Sequence, residues 1–345
     1  MNRLLIAVDS VGIDPLGVDR PESVYATSRF LFPRGYRGGM ARVPGGVLVE
    51  TDVTGGLSRR GSEGATAERR DGAVECALTY TSLFTGTSTV AEHGLVQALG
   101  MRERLLKELV ARRNLFRLFE RPCLANALFP AHLPFFGSSH AEDLVPRFER
   151  DAITAGLRFR GAPALVGRPK HGFAELFTLA EINQNIFVHA AREAGVRLRT
   201  WDDVRHGEAL TSTLTHELES EFNMDFFGQP PLPPRTVGEG ARLLASLARA
   251  HDFVFYKFQL ADLVSHAGRL ELARGVFDMI ERFVEAVVAS TDAMVVVTSD
   301  HGHLEQLESH RGHPKSTVPT WCFRAAADPD LLETPEGIHA ALAPQ

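Results

Sequence analysis

Hydrophobic residues along this chain follow two periodicities. Short, mostly apolar runs occur at RLLIAV (residues 3–8), FVFYKFQL (253–260) and AMVVVTS (293–299), and each is followed within two residues by an acid: Asp9, Asp262 and Asp300. Runs of this length without polar alternation read as strands buried on both faces, as in parallel sheets. An acid just past such a strand stands where open α/β sheets gather their ligands. Elsewhere the spacing is helical, over residues 101–121, from just after Thr178 to Gly195, and over 237–253. Residues 34–72 are rich in Gly and Arg with little periodicity and read as loops with one short strand. The stretch from 101 to 237 reads as largely helical and closes on the breaker-rich FFGQPPLPPRT. This order predicts an α/β protein with a discontinuous core, residues 1–100 and 238–345, interrupted by a cap inserted over 101–237.

Composition narrows the function classes. With 345 residues, 44% of them hydrophobic, the chain is long enough to bury a large core. A formal charge of -6, with acids and bases spread along the chain, gives no basic nucleic-acid surface and points to a small-molecule ligand. The apolar run before Asp9 is too short for a signal peptide or membrane span, so no membrane partner is expected. Three widely spaced cysteines, Cys76, Cys123 and Cys322, argue against a disulfide framework and for a reducing, cytoplasmic setting. Nothing here fixes an oligomeric state.

Metal-binding residue types concentrate in the last third. TSDHGH puts Asp300 and His301 at a strand end, and HRGHPKSTVP brings His313 a loop later; Asp with His is a ligand set for Zn or Mn. In ADLVSHAG, Asp262 and His266 stand four apart and share a face if a helix begins there.

Taken together, an early strand-end Asp, DLVSH, TSDHG and HPKSTVP in this order resemble the alkaline phosphatase superfamily, in the branch holding cofactor-independent phosphoglycerate mutase and phosphopentomutase. The resemblance implies an alkaline-phosphatase-like core, with a central mixed, mostly parallel sheet flanked by helices, plus the inserted cap. It implies two divalent metal ions, Zn or Mn, one held by Asp262, His266 and His313 and the other by Asp9, Asp300 and His301 together with the nucleophile. Two such cations polarise phosphoryl oxygens and steady both oxygens of an in-line displacement, so the implied substrate is a small phosphate or phosphonate ester and the enzyme a phosphatase or phosphomutase. A sulfatase or phosphodiesterase on the same scaffold, and a metal-binding homologue without turnover, are the alternatives.

In that family the nucleophile lies ten residues before the Gly of an SLxTG-like segment, at a helix start. Counting back from Gly86 in SLFTG reaches Cys76, where the family has Ser or Thr. Three readings stay open for Cys76: a thiolate nucleophile and metal ligand, with cations and a helix N-terminus lowering its pKa; conversion to formylglycine, for which CALTY lacks the usual flanking residues; or a packing residue, with Thr79 or Thr81 as the hydroxyl nucleophile or no covalent chemistry at all. Lys257 either meets substrate or pairs with an acid, Arg311 either faces a substrate anion or is an exposed charge, and Asn183 either binds substrate or caps and packs a helix. His303 reads as a supporting or loop residue rather than a ligand.

Overall fold

The computed structural model describes residues 1–14, 16–53, 76–93, 101–127, 186–216, 230–267, 270–307, 317–324 and 328–344. Their centre is a seven-stranded sheet. In chain order the strands are β1 (Arg3–Val8), β2 (Met40–Val43), β3 (Gly46–Thr51), β4 (Pro122–Leu124), β5 (Phe253–Phe258), β6 (Met294–Ser299) and β7 (Val318–Phe323), and in space they run β2-β3-β7-β6-β1-β5-β4. β1 pairs in parallel with both β5 and β6, and β4 in parallel with β5, whereas β7, β3 and β2 join by antiparallel pairing. The sheet is therefore mixed as expected, but parallel contacts are confined to one half. The sequence reading allowed one strand in residues 34–72; β2 and β3 form a hairpin there, turning at Gly45 with φ of 75°. β7, in VPTWCF, was not anticipated: a Pro inside the run weakens a strand signal.

Both faces of the sheet are covered, and the period of two decides which side chain meets which layer. Leu4, Ile6 and Val8 of β1, Val254, Tyr256 and Phe258 of β5, and Val295 and Val297 of β6 pack on one side. Against them lie helices from residues Val237–Ala250, Leu260–Ala267 and Leu270–Ser290. Leu5, Phe253, Phe255 and Val296 face the other side, towards helices at Cys76–Thr85, Met101–Arg112, residues 186–193 and Pro335–Leu342. In chain order these named helices are α1 (Cys76–Thr85), α2 (Met101–Arg112), α3 (Val237–Ala250), α4 (Leu260–Ala267), α5 (Leu270–Ser290) and α6 (Pro335–Leu342). α3 starts on a capping box between Thr236 and Glu239, which satisfies two of its orphan N–H groups.

Of the span 101–237 expected as a cap, residues 128–185 and 217–229 lie outside the described residues. The described flanks belong to the sheet layers: β4 is an edge strand, α2 packs on α1, and Arg199 donates from Nε to the Glu208 carbonyl and from a terminal nitrogen to that of Leu124. Helical periodicity alone could not separate a helix that covers the sheet from one in an insertion, because both need one apolar face.

α1 is buried from Ala77 to Thr85 although CALTYTSLFT carries four hydroxyl residues besides Tyr80. Thr81 and Thr85 donate to the carbonyls of Ala77 and Thr81 one turn back, so no hydroxyl need reach water. The helix stops at Gly86, whose φ is 67° and whose missing Cβ leaves room for the His339 ring of α6.

At the end of another described segment, His216 is buried with Nδ1 2.9 Å from the Pro233 carbonyl. Burial, opposed by that carbonyl and assisted by Arg235, brings its pKa down to about 4. The imidazole is neutral in the fold, so below its ordinary pKa the unfolded chain binds a proton that the folded chain does not. Stability is expected to fall as pH drops from about 6.5 towards 4, by about 2 kcal/mol from this group. His216→Asn, which tolerates the local φ of 71°, should remove that part of the slope in urea unfolding at pH 7.5 and 4.5. An unchanged slope would rule the assignment out.

Candidate metal centre

β1, β5 and β6 are in register, Val8 standing beside Phe258 on one side and Ser299 on the other, so the next residue of each leaves the sheet at one edge. Asp9 follows β1 and its N–H continues the ladder to the Phe258 carbonyl. Asp300 and His301 follow β6, and Asp262 lies in the first turn of α4, just beyond β5. One ligand atom each from Asp9, Asp262 and His301 falls within 4.8 Å of the others, close enough to share a cation. Asp9 and His301 are buried and Asp262 half-buried.

Opposite charges meet in this cluster. His301 Nε2 sits 3.1 Å from one Asp9 oxygen and 3.9 Å from Asp300, and Lys257 Nζ sits 2.8 Å from the other Asp9 oxygen. Burial pushes the Asp9 carboxyl up, but Lys257 and the His301 contact outweigh that together with Asp262's repulsion, holding it below its ordinary value. Lys257 thus offsets Asp9, and the carboxylate and imidazole set of Asp9, Asp262 and His301 is of a kind that suits a divalent cation.

Lys257, read from sequence as meeting substrate or pairing with an acid, contacts Asp9. Its place on β5 follows the strand period, on the same face as Phe253 and Phe255, and its ammonium lies 4.9 Å from the Tyr80 ring centroid of α1. Asn126 fixes its backbone: the side-chain amide donates to the Lys257 carbonyl and accepts from the Lys257 N–H, both at 2.8 Å, continuing the β4 ladder with a side chain. Asn126 had no sequence signal beyond a polar residue after an apolar run.

Loops behind the cluster are tied together. Ser299 Oγ accepts from the Val11 N–H and donates to the His301 carbonyl, and Thr79 Oγ1 donates to the Asp300 carbonyl at 2.9 Å. Thr79 and Thr81, the two hydroxyls weighed as nucleophiles, are both buried and donating to carbonyls, which leaves neither hydroxyl proton uncommitted. α1 is described from Cys76, one turn before Thr79, so the backbone of Cys76 lies one helical turn from the residue that touches the Asp300 carbonyl. The side chains of Cys76 and His266, and the whole of Asn183, Arg311 and His313, lie outside the described residues. His303 is buried, its N–H donating to Glu305, consistent with a loop-fixing role.

The other two cysteines behave differently. Cys123 and Cys322 are fully buried, and burial, only partly offset by Arg199, pushes the Cys123 thiol up to about 11, which keeps it protonated and inert near neutral pH. Among the described residues no helix is long and apolar enough to cross a membrane.

Sequence comparison finds similarity to two 2,3-bisphosphoglycerate-independent phosphoglycerate mutases. That of Helicobacter hepaticus is 29% identical over 101 residues, covering 28% of this chain and 20% of the relative. That of Sulfurimonas denitrificans is 28% identical over 111 residues, covering 30% and 22%. The matched chain thus spans about a fifth of the length of these curated relatives. The alkaline phosphatase from the Antarctic bacterium TAB5 aligns over 99% of this chain and 96% of its own with a TM-score of 0.39 and 10% identity, and nothing below rests on it. Residues 237–341, which carry α3, β5, α4, β6 and with them Asp262, Asp300 and His301, match the family model described as the Metalloenzyme superfamily.

Proposed function

We propose that this protein is a metal-dependent phosphoryl-transfer enzyme acting on a small phosphate or phosphonate ester, of phosphatase or phosphomutase type. The observation that carries the reading is the convergence of Asp9, Asp262 and His301 within 4.8 Å at the carboxyl edge of a parallel strand trio. The match of residues 237–341 to the Metalloenzyme superfamily supports it.

Two divalent ions, Zn or Mn, would be held by Asp262, His266 and His313 on one side and by Asp9, Asp300, His301 and Cys76 on the other. When bound, such ions polarise the phosphoryl oxygens and offset their charge. The chain's own part follows from the geometry. Lys257 holds one Asp9 oxygen, which fixes the other towards His301. Thr79 ties the helix of Cys76 to the strand end of Asp300. The Cys76 thiolate, favoured at a helix N-terminus, attacks phosphorus: the S–P bond forms, the P–O bond to the leaving group breaks, and the departing oxygen takes a proton from solvent. Water then releases phosphate in a phosphatase, or the reoriented product takes the phosphoryl group in a mutase. The cap expected within residues 101–237 would orient the rest of the substrate and exclude water.

Protein freed of metal with EDTA and reloaded with Mn or Zn should hydrolyse members of a panel of phosphomonoesters, and the reloaded Asp300→Ala variant should not. Turnover confined to sulfate esters or phosphodiesters would move the protein to those classes. No turnover on any ester with metal bound would leave a binding protein.

A further inference from the structure

Ser10, between Asp9 and the loop, stands in a backbone conformation that serine rarely adopts: its φ is 67°. Its three polar groups are all engaged. The N–H points to Asp300 Oδ1 at 3.4 Å, the carbonyl accepts from the Leu304 N–H at 2.9 Å, and Oγ donates to Asp262 Oδ1 at 2.5 Å while lying 3.4 Å from His301 Nδ1. The two backbone contacts would be made equally well by glycine, which takes this φ without strain. What serine adds is the hydroxyl, and the hydroxyl reaches the one carboxylate of the cluster that comes from a helix rather than directly from a strand end.

We propose that Ser10 is a positioning residue of the metal centre. Its side chain joins Asp262 to the Asp9–His301 pair, so the two halves of the ligand set keep a fixed separation whether or not a cation is present. The inference rests on the metal-centre reading. One Asp262 oxygen is engaged by the hydroxyl, which orients the carboxylate in the way that outer partners commonly orient metal ligands. A strained conformation retained where a glycine would relieve it is the kind of local cost found where geometry serves a site.

Two variants separate the hydroxyl from the strain. Ser10→Gly removes both, and Ser10→Ala removes the hydroxyl while keeping the unfavourable φ. Isothermal titration of metal-free protein with Mn and with Zn is the primary measurement, and thermal unfolding in EDTA is the control. Ser10→Gly is expected to unfold at the wild-type temperature or higher yet bind the ion at least about tenfold more weakly, and Ser10→Ala to show a similar loss of affinity. Ser10→Gly binding within twofold of wild type would overturn the role of Ser10 while leaving the metal centre standing. Wild-type protein that binds neither ion would overturn the metal centre and this inference with it.

Discussion

Lys257→Met is expected to destabilise the metal-free protein by about 3–5 kcal/mol, the usual loss when one partner of a buried ion pair is removed. The side chain is 1% exposed, its ammonium lies 2.8 Å from Asp9, and Asp262 belongs with Asp9 and His301 to the same cluster. Methionine fills most of the volume beside Tyr80, so the loss measures charge rather than a cavity. Asp9, held ionised chiefly by this lysine against its burial, would then share a dry site with like charges. Because a divalent ion replaces the missing charge, saturating Mn or Zn should recover much of the stability, and the variant should gain more from metal than wild type does. Thermal unfolding in EDTA and in excess metal reads both effects, with a midpoint drop on the order of 5–10 °C in EDTA. Equal midpoints for variant and wild type in EDTA would mean that Lys257 does not balance the cluster.

Replacing Cys76 should have the largest catalytic effect. Cys76→Ala is expected to lower kcat by at least about a thousandfold, as removal of a covalent nucleophile does elsewhere, with an unfolding temperature in EDTA near wild type and weaker binding of the ion that Cys76 would help to hold. Cys76→Ser should retain measurable turnover, because a hydroxyl at the same helix N-terminus attacks the same phosphorus atom through a harder, less acidic oxygen. Intact-mass measurement of the active preparation should find an unmodified thiol. Full activity in Cys76→Ala would remove the covalent step and return this position to packing, and an aldehyde at Cys76 would transfer the protein to sulfate-ester chemistry.

The described part of the candidate metal centre was legible because it sits at strand ends. An apolar run that stops abruptly at an acid has one physical explanation in a doubly covered sheet, so Asp9 and Asp300 could be placed without a fold, and Asp262 could be placed on a helix start soon after a strand. The parallel half of the sheet followed from the same runs. β7 and the β2–β3 hairpin were harder to read, since Pro319 and the Gly-rich flanks dilute the strand signal that their pairing partners supply in three dimensions. β4, within the span expected as a cap, was hard to read for the same reason: it is three residues long and acquires its identity only by pairing with β5.

What the chain alone determined is the set of groups that can meet: carboxylates and imidazoles at strand termini, in an order that resembles a known metalloenzyme branch, with a thiol where that branch carries a hydroxyl. Tertiary structure decided how they meet. Ser10 touches Asp262 across 252 residues of sequence, Lys257 turns inward to Asp9 rather than outward to solvent, and Asn126 clamps Lys257 from an edge strand. None of these contacts has a local signature, because each depends on which strands lie side by side, and that order is fixed by burying two apolar faces at once rather than by any single segment.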